Sequence, residues 1–268
     1  MSLPPPASGQ VVLVTGASSG IGAELARQLA ALGHDLVLVA RRAERLDELA
    51  TALTAEHGVD ALAVPTDLSD SGRRRALIDS VRASEKFVAG LCNNAGFGSY
   101  GRVLEADPAA EAAMVQVNVA AVHELTLAFV GSMVERRAGA ILNVASLAAF
   151  QPVPSMATYA ATKAFVQSFS EALHAELAGT GVSCTVLAPG PVPTEFGAVA
   201  GTDGVDSLVP GFVSEAPDEV AAAAVRGMLR GRRSVVPGAA TKALATGGRH
   251  VPRSLLLPVA RRAQRGKD

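Results

Sequence analysis

Short apolar runs alternate with longer stretches of helical period along this chain. The runs fall at 11–15, 36–40, 61–65, 88–93, 140–145, 182–188 and 234–236. Most are continuous rather than alternating, the pattern of strands covered by helices on both faces of a parallel sheet. Between them, apolar positions recur every three or four residues over 21–32, 44–56, 72–82, 109–136, 157–179 and 218–229. Gly33 and Gly58 stand as stop signals after the first two of these, and Asp218, following Pro217, is the expected N-cap of the last. Strand–helix alternation of this kind predicts right-handed crossovers and one α/β domain built on a doubly wound, parallel, seven-stranded sheet. The expected domain covers 10–236, with a flexible segment 1–9 before it and a basic tail 237–268 after it. The irregular stretch 190–215 is too long for an ordinary connection and is expected to be a substrate loop.

Composition narrows the class. A length of 268 residues fits one large α/β unit, and 49% hydrophobic content excludes a disordered chain. Two cysteines, Cys92 and Cys184, exclude a disulfide scaffold and are expected as buried thiols. No uninterrupted apolar run reaches the roughly 18 residues of a membrane span, and the N-terminus lacks the pattern of a signal peptide. A cytoplasmic location is therefore expected. The net charge of −1 hides a split: residues 1–219 hold 13 basic and 24 acidic side chains, whereas 220–267 hold eleven Lys and Arg and no acid.

The first strand runs into Thr15-Gly-Ala-Ser-Ser-Gly-Ile-Gly22, with glycines at 16, 20 and 22. Gly16 allows the tight turn, Gly20 close approach of a pyrophosphate, and Gly22 close packing of helix on strand. The pyrophosphate would meet the free N–H groups where the helix begins at Ile21, the arrangement of a Rossmann-type dinucleotide fold. The second strand ends in Leu38-Val-Ala-Arg-Arg42 with no acid for a ribose 2′-hydroxyl. Arg41 and Arg42 instead suit the 2′-phosphate of NADP(H), with Arg41 the first choice and the Ser18 hydroxyl beside the same phosphate. NADP(H) is thus expected in preference to NAD(H).

Tyr159 and Lys163 are four residues apart and share a helix face. A cation near the phenol is expected to lower its pKa and fit it for proton transfer. With these residues the chain resembles the short-chain dehydrogenase/reductases, in a branch of NADP-preferring bacterial oxidoreductases. The motifs are Thr15–Gly22, Asp67, Asn93-Asn-Ala-Gly96, Asn118, Ser146, Tyr159-x-x-x-Lys163 and Pro189-Gly-Pro-Val-Pro-Thr194, in family order and spacing over about 10–195.

The resemblance implies a role for each position. Tyr159 would be the general acid/base toward the substrate oxygen, and Ser146 would hold that oxygen. Lys163 would lower the Tyr159 pKa and bind the nicotinamide ribose, while Asn118 would hold a water relaying protons from Lys163. Ser18, Ser19, Gly20 and Ile21 would hold the pyrophosphate side. Asp67 and Leu68 would meet the adenine. Asn93, Asn94, Ala95 and Gly96 would support the sheet beside the cofactor, with Asn93 near the adenosine ribose. Pro189, Gly190, Val192 and Thr194 would flank the nicotinamide. The departures are Cys92, where an aliphatic residue is usual, and Pro191 and Pro193, which stiffen the nicotinamide loop.

Other conspicuous residues have plainer readings. The five histidines, at 34, 57, 123, 174 and 250, lack metal-ligand spacing, so no metal is expected. Arg73-Arg-Arg75 reads as a solvated cluster, and Tyr100 as either a pocket or a surface ring. Nucleic acid is not an expected partner, for want of aromatic interleaving. The tail stretch 251–262 is basic and partly apolar but broken by two prolines. It reads as packed on the domain or on another subunit. The sequence thus predicts an NADP(H)-dependent oxidoreductase acting on a small apolar ketone, aldehyde or secondary alcohol (EC 1.1.1.-). Apolar residues of the substrate loop, among them Phe196, Val199, Val205, Leu208, Val209 and Phe212, favour such a substrate. A homodimer or homotetramer is expected on helices 109–136 and 157–179. The alternatives are a peripheral membrane enzyme acting on lipids and a non-catalytic NADP-binding regulator.

Overall fold

The computed structural model describes residues 3–201 and 214–264. Seven strands form one parallel sheet in the order β3-β2-β1-β4-β5-β6-β7: β1 Gln10–Thr15, β2 Leu36–Ala40, β3 Ala61–Pro65, β4 Phe87–Asn93, β5 Gly139–Val144, β6 Val182–Leu187 and β7 Ser234–Val235. The reversal of strand order falls between β1 and β4, where the chain leaves both strands at the same edge. Ligands in open α/β sheets bind in the crevice at such a point. The central strands β1, β4, β5 and β6 are almost wholly buried, which accounts for their unbroken apolar runs. At one edge β3 is only half covered, and Leu62 on it is exposed.

One face of the sheet is covered by α1 Gly20–Ala31, α2 Ala43–His57 and α8 Pro217–Leu229, the other by α3 Ser71–Ala83 and α5 Val122–Glu135. Leu25, Leu29 and Met228 pack on the first face, and Leu125, Phe129 and Met133 on the second. Each such side chain contributes about 1.5–3 kcal/mol by leaving water. The predicted helix 109–136 is continuous but not uniform. α4 Pro108–Val115 passes through a π-helical turn, Gln116–Ala121, into α5. By length and mean hydropathy this helix could cross a bilayer, although no single apolar run in it could. Its buried residues lie on the sheet, whereas Val115 and Leu127 on the other side are exposed. α6 Ala157–Glu176 follows β5.

Several boundaries differ from expectation. α8 begins at Pro217, in the first turn where its missing N–H costs nothing, so Asp218 lies inside the helix and Ala216 is the cap residue. The segment before β1 is anchored rather than flexible from residue 3 onward. Leu3 is buried, and Gly90, lacking a side chain, gives its methyl group room against Val12. The tail is folded as far as it is described, into α9 Ala239–His250 and α10 Arg253–Gln264. Ala245 of α9 packs with Phe150 and Val166, so the body of the domain extends beyond 236. Of the substrate loop, the residues to 201 and from 214 are described and include a short helix, α7 Phe196–Ala200. Val205, Leu208, Val209 and Phe212 lie outside the described residues, as does the Val199 side chain.

Candidate active site

The strand ends converge on a cleft of about 600 Å³. Its first wall is the glycine-rich turn between β1 and α1. Gly16 has φ +68, a conformation that favours glycine, and a Cβ there would sit 2.9 Å from the Ala95 backbone. A Cβ on Gly22 would collide with the Gly16 carbonyl oxygen. A side chain at either position would therefore push the turn off the Asn94–Ala95 segment that shapes it. Thr15 and Asn94 fix the turn: the Thr15 hydroxyl accepts from the Asn94 and Ala95 N–H groups, each at 3.0 Å, and Asn94 Nδ2 donates to the Thr15 carbonyl at 2.9 Å. Nothing in the local pattern singled out Thr15.

The four-residue motif 93–96 divides. Asn94, Ala95 and Gly96 line the cleft, but Asn93 does not. Its amide points into the core and donates to Asn143 Oδ1 at 2.9 Å and Thr126 Oγ1 at 3.1 Å. Asn93 therefore ties β4 to β5 and α5 and is not placed for an adenosine ribose. β4 buries alternate side chains on opposite faces, and residue 93 falls on the inner one.

At the end of β2, Arg41 and Arg42 part ways. Arg42 folds over the glycine-rich turn, with Nη2 donating to Ser19 Oγ at 2.9 Å and Ser18 Oγ at 3.0 Å. Its Nη1 pairs with Glu195 Oε2 at 2.7 Å, and Arg45 Nη1 reaches Glu195 Oε1 at 2.6 Å. These two arginines hold the exposed Glu195 carboxyl down at about 2, Arg45 more strongly than Arg42. The Ser18 hydroxyl thus serves Arg42 rather than Arg41. Arg41 is exposed on the cleft wall and makes no hydrogen bond or ion pair among the described residues. Across from it, Asp67 lies below the usual carboxylate range, first because the Ser69 N–H and hydroxyl donate to it and also through Arg41 and Arg73. Leu68 lines the cleft beside it.

Arg74 is a correction. Instead of being solvated with Arg73 and Arg75, it is buried. It donates to both Glu124 oxygens, at 2.7 and 2.9 Å, to the Leu68 carbonyl at 2.8 Å and to Gln116 Oε1 at 3.0 Å. It fastens the loop after β3, which carries Asp67 and Leu68, to the π-turn and α5. The fork of donors that an arginine offers suits this task, and its i+3 and i+4 neighbours gave no sign of it.

The far end of the cleft holds Ser146, Tyr159 and Lys163. Ser146 caps a 3₁₀ turn, Leu147–Phe150, by accepting from the Ala148 N–H at 3.1 Å, and lines the cleft beside Tyr159. Burial pushes the Tyr159 phenol up to about 12, against a smaller lowering by Ser146. The expected lowering by Lys163 is not what sets its value. The Lys163 ammonium lies 5.8 Å from the Tyr159 ring centre and donates instead to the Val144 carbonyl at 2.9 Å. Burial brings that ammonium down to about 8. Tyr159 in the protein alone is thus a protonated phenol at neutral pH. The ring of Phe196, from α7, packs 5.4 Å from that of Tyr159.

Asn118 sits within the π-turn, which interrupts the regular ladder and turns this side chain inward. Its Nδ2 donates to the Phe97 carbonyl at 2.9 Å and to Thr162 Oγ1 at 3.0 Å, while Oδ1 accepts from the Phe97 N–H at 3.1 Å. A Cβ on Gly96 would lie 3.1 Å from both Asn118 Oδ1 and Lys163 Nζ, so the glycine leaves a gap between them. Pro189, Gly190, Val192 and Thr194 line the opposite wall, and the Pro189 carbonyl accepts from the Leu147 N–H at 2.8 Å. Tyr100 is not among the residues lining this cleft. Cys92 and Cys184 are free and buried, each pushed up to about 12 by burial.

Glycine cradle, basic strand end and the buried tyrosine–lysine pair thus share one cleft at the switch point of the sheet. Residues 10–203 match the short chain dehydrogenase family, and the chain belongs to it. It is 36% identical over 192 residues to a short chain dehydrogenase of Pseudocercospora fijiensis, spanning 71% of this chain and 62% of that one. A short-chain dehydrogenase from Sphingobium yanoikuyae, solved with NADPH, shares 34% identity and superposes with a TM-score of 0.80 over 97% of this chain and 96% of that one. A short-chain dehydrogenase/reductase from Burkholderia phymatum, solved with NAD, shares 28% identity with a TM-score of 0.79, over 89% of this chain and 92% of the other.

Proposed function

We propose that the protein transfers a hydride between NADP(H) and an apolar ketone, aldehyde or secondary alcohol, with Tyr159 as the general acid/base. The observation that carries this reading is a buried Tyr159 phenol, beside Ser146 and Lys163, at the end of a cleft whose other end is a glycine cradle. A bound nicotinamide supplies the hydride. The chain positions and polarises the substrate and moves the proton. The Ser146 hydroxyl donates to the substrate oxygen and stabilises negative charge growing there. The Tyr159 hydroxyl gives its proton to that same oxygen during reduction, and the phenolate takes it back during oxidation. Lys163 and Asn118 face the gap at Gly96, and a water held between Nζ and Oδ1 there would relay protons from the ammonium.

Arg41 is the residue we assign to a 2′-phosphate, because its guanidinium is exposed on the cleft wall without a partner among the described residues. Arg42 is committed to Ser18, Ser19 and Glu195 and serves to hold the turn. Asp67 and Leu68 are assigned to the adenine, and Gly190, Val192 and Thr194 to the nicotinamide side. The substrate class follows from the cleft lining near Tyr159, where Leu147, Val153, Met156 and Phe196 present apolar surface. Exposed Leu127 on α5 and Phe165 on α6 favour self-association through these helices.

A panel of ketones and secondary alcohols with NADPH and NADP⁺ tests this reading. Turnover is expected with at least one apolar member and should fall by about 10²–10⁴ in Tyr159→Phe, the range of general acid/base catalysis. Turnover indifferent to that substitution would overturn the assignment.

A further inference from the structure

Five cationic side chains, Arg226, Arg230, Arg232, Lys242 and Arg249, line a second cavity of about 400 Å³, and no acidic residue lines it. Its walls are α8 and α9, and the segment 230–236 closes it from below. Arg226, Arg230, Arg232 and Lys242 form no ion pair among the described residues. The carboxylate that touches the rim is Glu171, which holds Arg249 at 3.1 Å and Arg233 at 3.6 Å. Like charges gathered around a concave surface focus a positive potential and repel one another until a counter-anion joins them.

The groove is a built feature. Gly231, at φ +56, ends α8 in a left-handed turn, and the N–H groups of Gly231 and Arg232 donate to the Met228 and Gly227 carbonyls at 3.1 and 2.9 Å. This is a Schellman closure, so the backbone carrying Arg230 and Arg232 is fixed. Opposite, the Arg249 guanidinium lies 4.7 Å over the Phe150 ring and is steadied there by Glu171. The floor is apolar and shallow in side chains: Val235 and Val236 line it, and Val235 packs on Gly227, where a Cβ would strike it. Cations on the walls over an apolar floor recognise an amphipathic anion. Guanidinium forks match carboxylate and phosphate oxygens alike, and four cations around one cavity favour the more highly charged phosphate.

We propose that this groove binds a phosphate-bearing amphipathic molecule, with the phosphate held by Arg226, Arg230, Arg232 and Lys242 and an apolar group on Val235 and Val236. The site is distinct from the cofactor cleft. Gln151 lines that cleft while its neighbour Phe150 lines the groove, so the two lie back to back across one short turn. The same phosphate chemistry is offered by a soluble phosphorylated metabolite and by the headgroup of an anionic lipid.

Titration calorimetry of the full chain with inorganic pyrophosphate at low ionic strength tests this directly, alongside co-sedimentation with phosphatidylcholine vesicles with and without phosphatidic acid. The expected result is saturable binding in at least one arm. It should weaken more than about tenfold in Arg230→Glu/Arg232→Glu and measurably in Lys242→Glu, and persist when saturating NADP⁺ fills the cofactor cleft. Pyrophosphate binding with that pattern identifies a soluble ligand, and vesicle binding with that pattern identifies a headgroup. Lys242 is exposed on α9, so its variant carries the test should the double variant fail to fold. No saturable binding in either arm overturns the proposal. So does binding abolished once NADP⁺ saturates the cofactor cleft, which would place the anion there, or binding weakened equally by all variants.

Discussion

Around the cofactor cleft, Arg42 and Arg45 share the carboxylate of Glu195, and Arg74 holds Glu124 from a buried position. Along the groove at the other edge of the sheet, Arg226, Arg230, Arg232 and Lys242 face one another with no carboxylate between them. The contrast follows the split in the sequence, an acidic body followed by an acid-free segment 220–267. Where acids are at hand, arginines are spent on fixing backbone, and one, Arg41, is left facing the cleft. Where acids are absent, five cations line a single concavity. A free guanidinium therefore marks a place for an anion more reliably than a count of basic residues does. Arg42, the neighbour of Arg41 in sequence, is already taken.

The largest effect that would break this contrast is at Arg41. Arg41→Ala should raise the KM for NADPH about 10–100-fold, the worth of a charge-assisted contact of about 1.5–3 kcal/mol, and leave that for NADH nearly unchanged. Steady-state kinetics with both nucleotides checks it, and an equal loss for the two would remove Arg41 from the phosphate. Next comes the paired arginine. Glu124→Gln leaves the Arg74 guanidinium buried beside a neutral partner and should cost about 1–3 kcal/mol in urea unfolding. Glu124 lies below the usual carboxylate range, first because Arg74 donates to it. A carboxyl lowered on folding stabilises above its unfolded pKa, and that contribution fades as pH falls through its folded value. Glu124 is 41% exposed, so solvent screening keeps the pH effect small.

The smallest effect is at Glu195. Its exposed carboxylate stands beside the place assigned to a 2′-phosphate, and Glu195→Gln should lower the KM for NADPH by about twofold to fivefold, the range of one exposed ion pair. Unchanged or weaker NADPH use would show that the Glu195 latch helps rather than opposes the nucleotide.

Much of the site was legible because its motifs are local. Gly16, Gly20 and Gly22 meet conditions set within one turn, and Tyr159 and Lys163 share one helix face whatever surrounds them. Three things were not local. Which of Asn93 and Asn94 enters the cleft depends on strand register, and Asn93 went to the core. Arg74 is defined by partners 42 and 50 residues away, on the π-turn and α5. The Tyr159 pKa depends on burial as well as on the neighbouring cation, and burial dominates. The helices α9 and α10 were missed because two adjacent glycines, Gly247 and Gly248, interrupt the first and Pro258 the second.

The pH dependence of catalysis in both directions bears most directly on Tyr159 as the proton donor. A buried phenol near 12 is already in the form that reduction needs and must lose its proton before oxidation. The expected result is ketone reduction nearly independent of pH between about 6 and 8, with alcohol oxidation rising by up to about tenfold per unit, both abolished in Tyr159→Phe. Oxidation that is fastest in acid, or profiles that survive the loss of the hydroxyl, would contradict it.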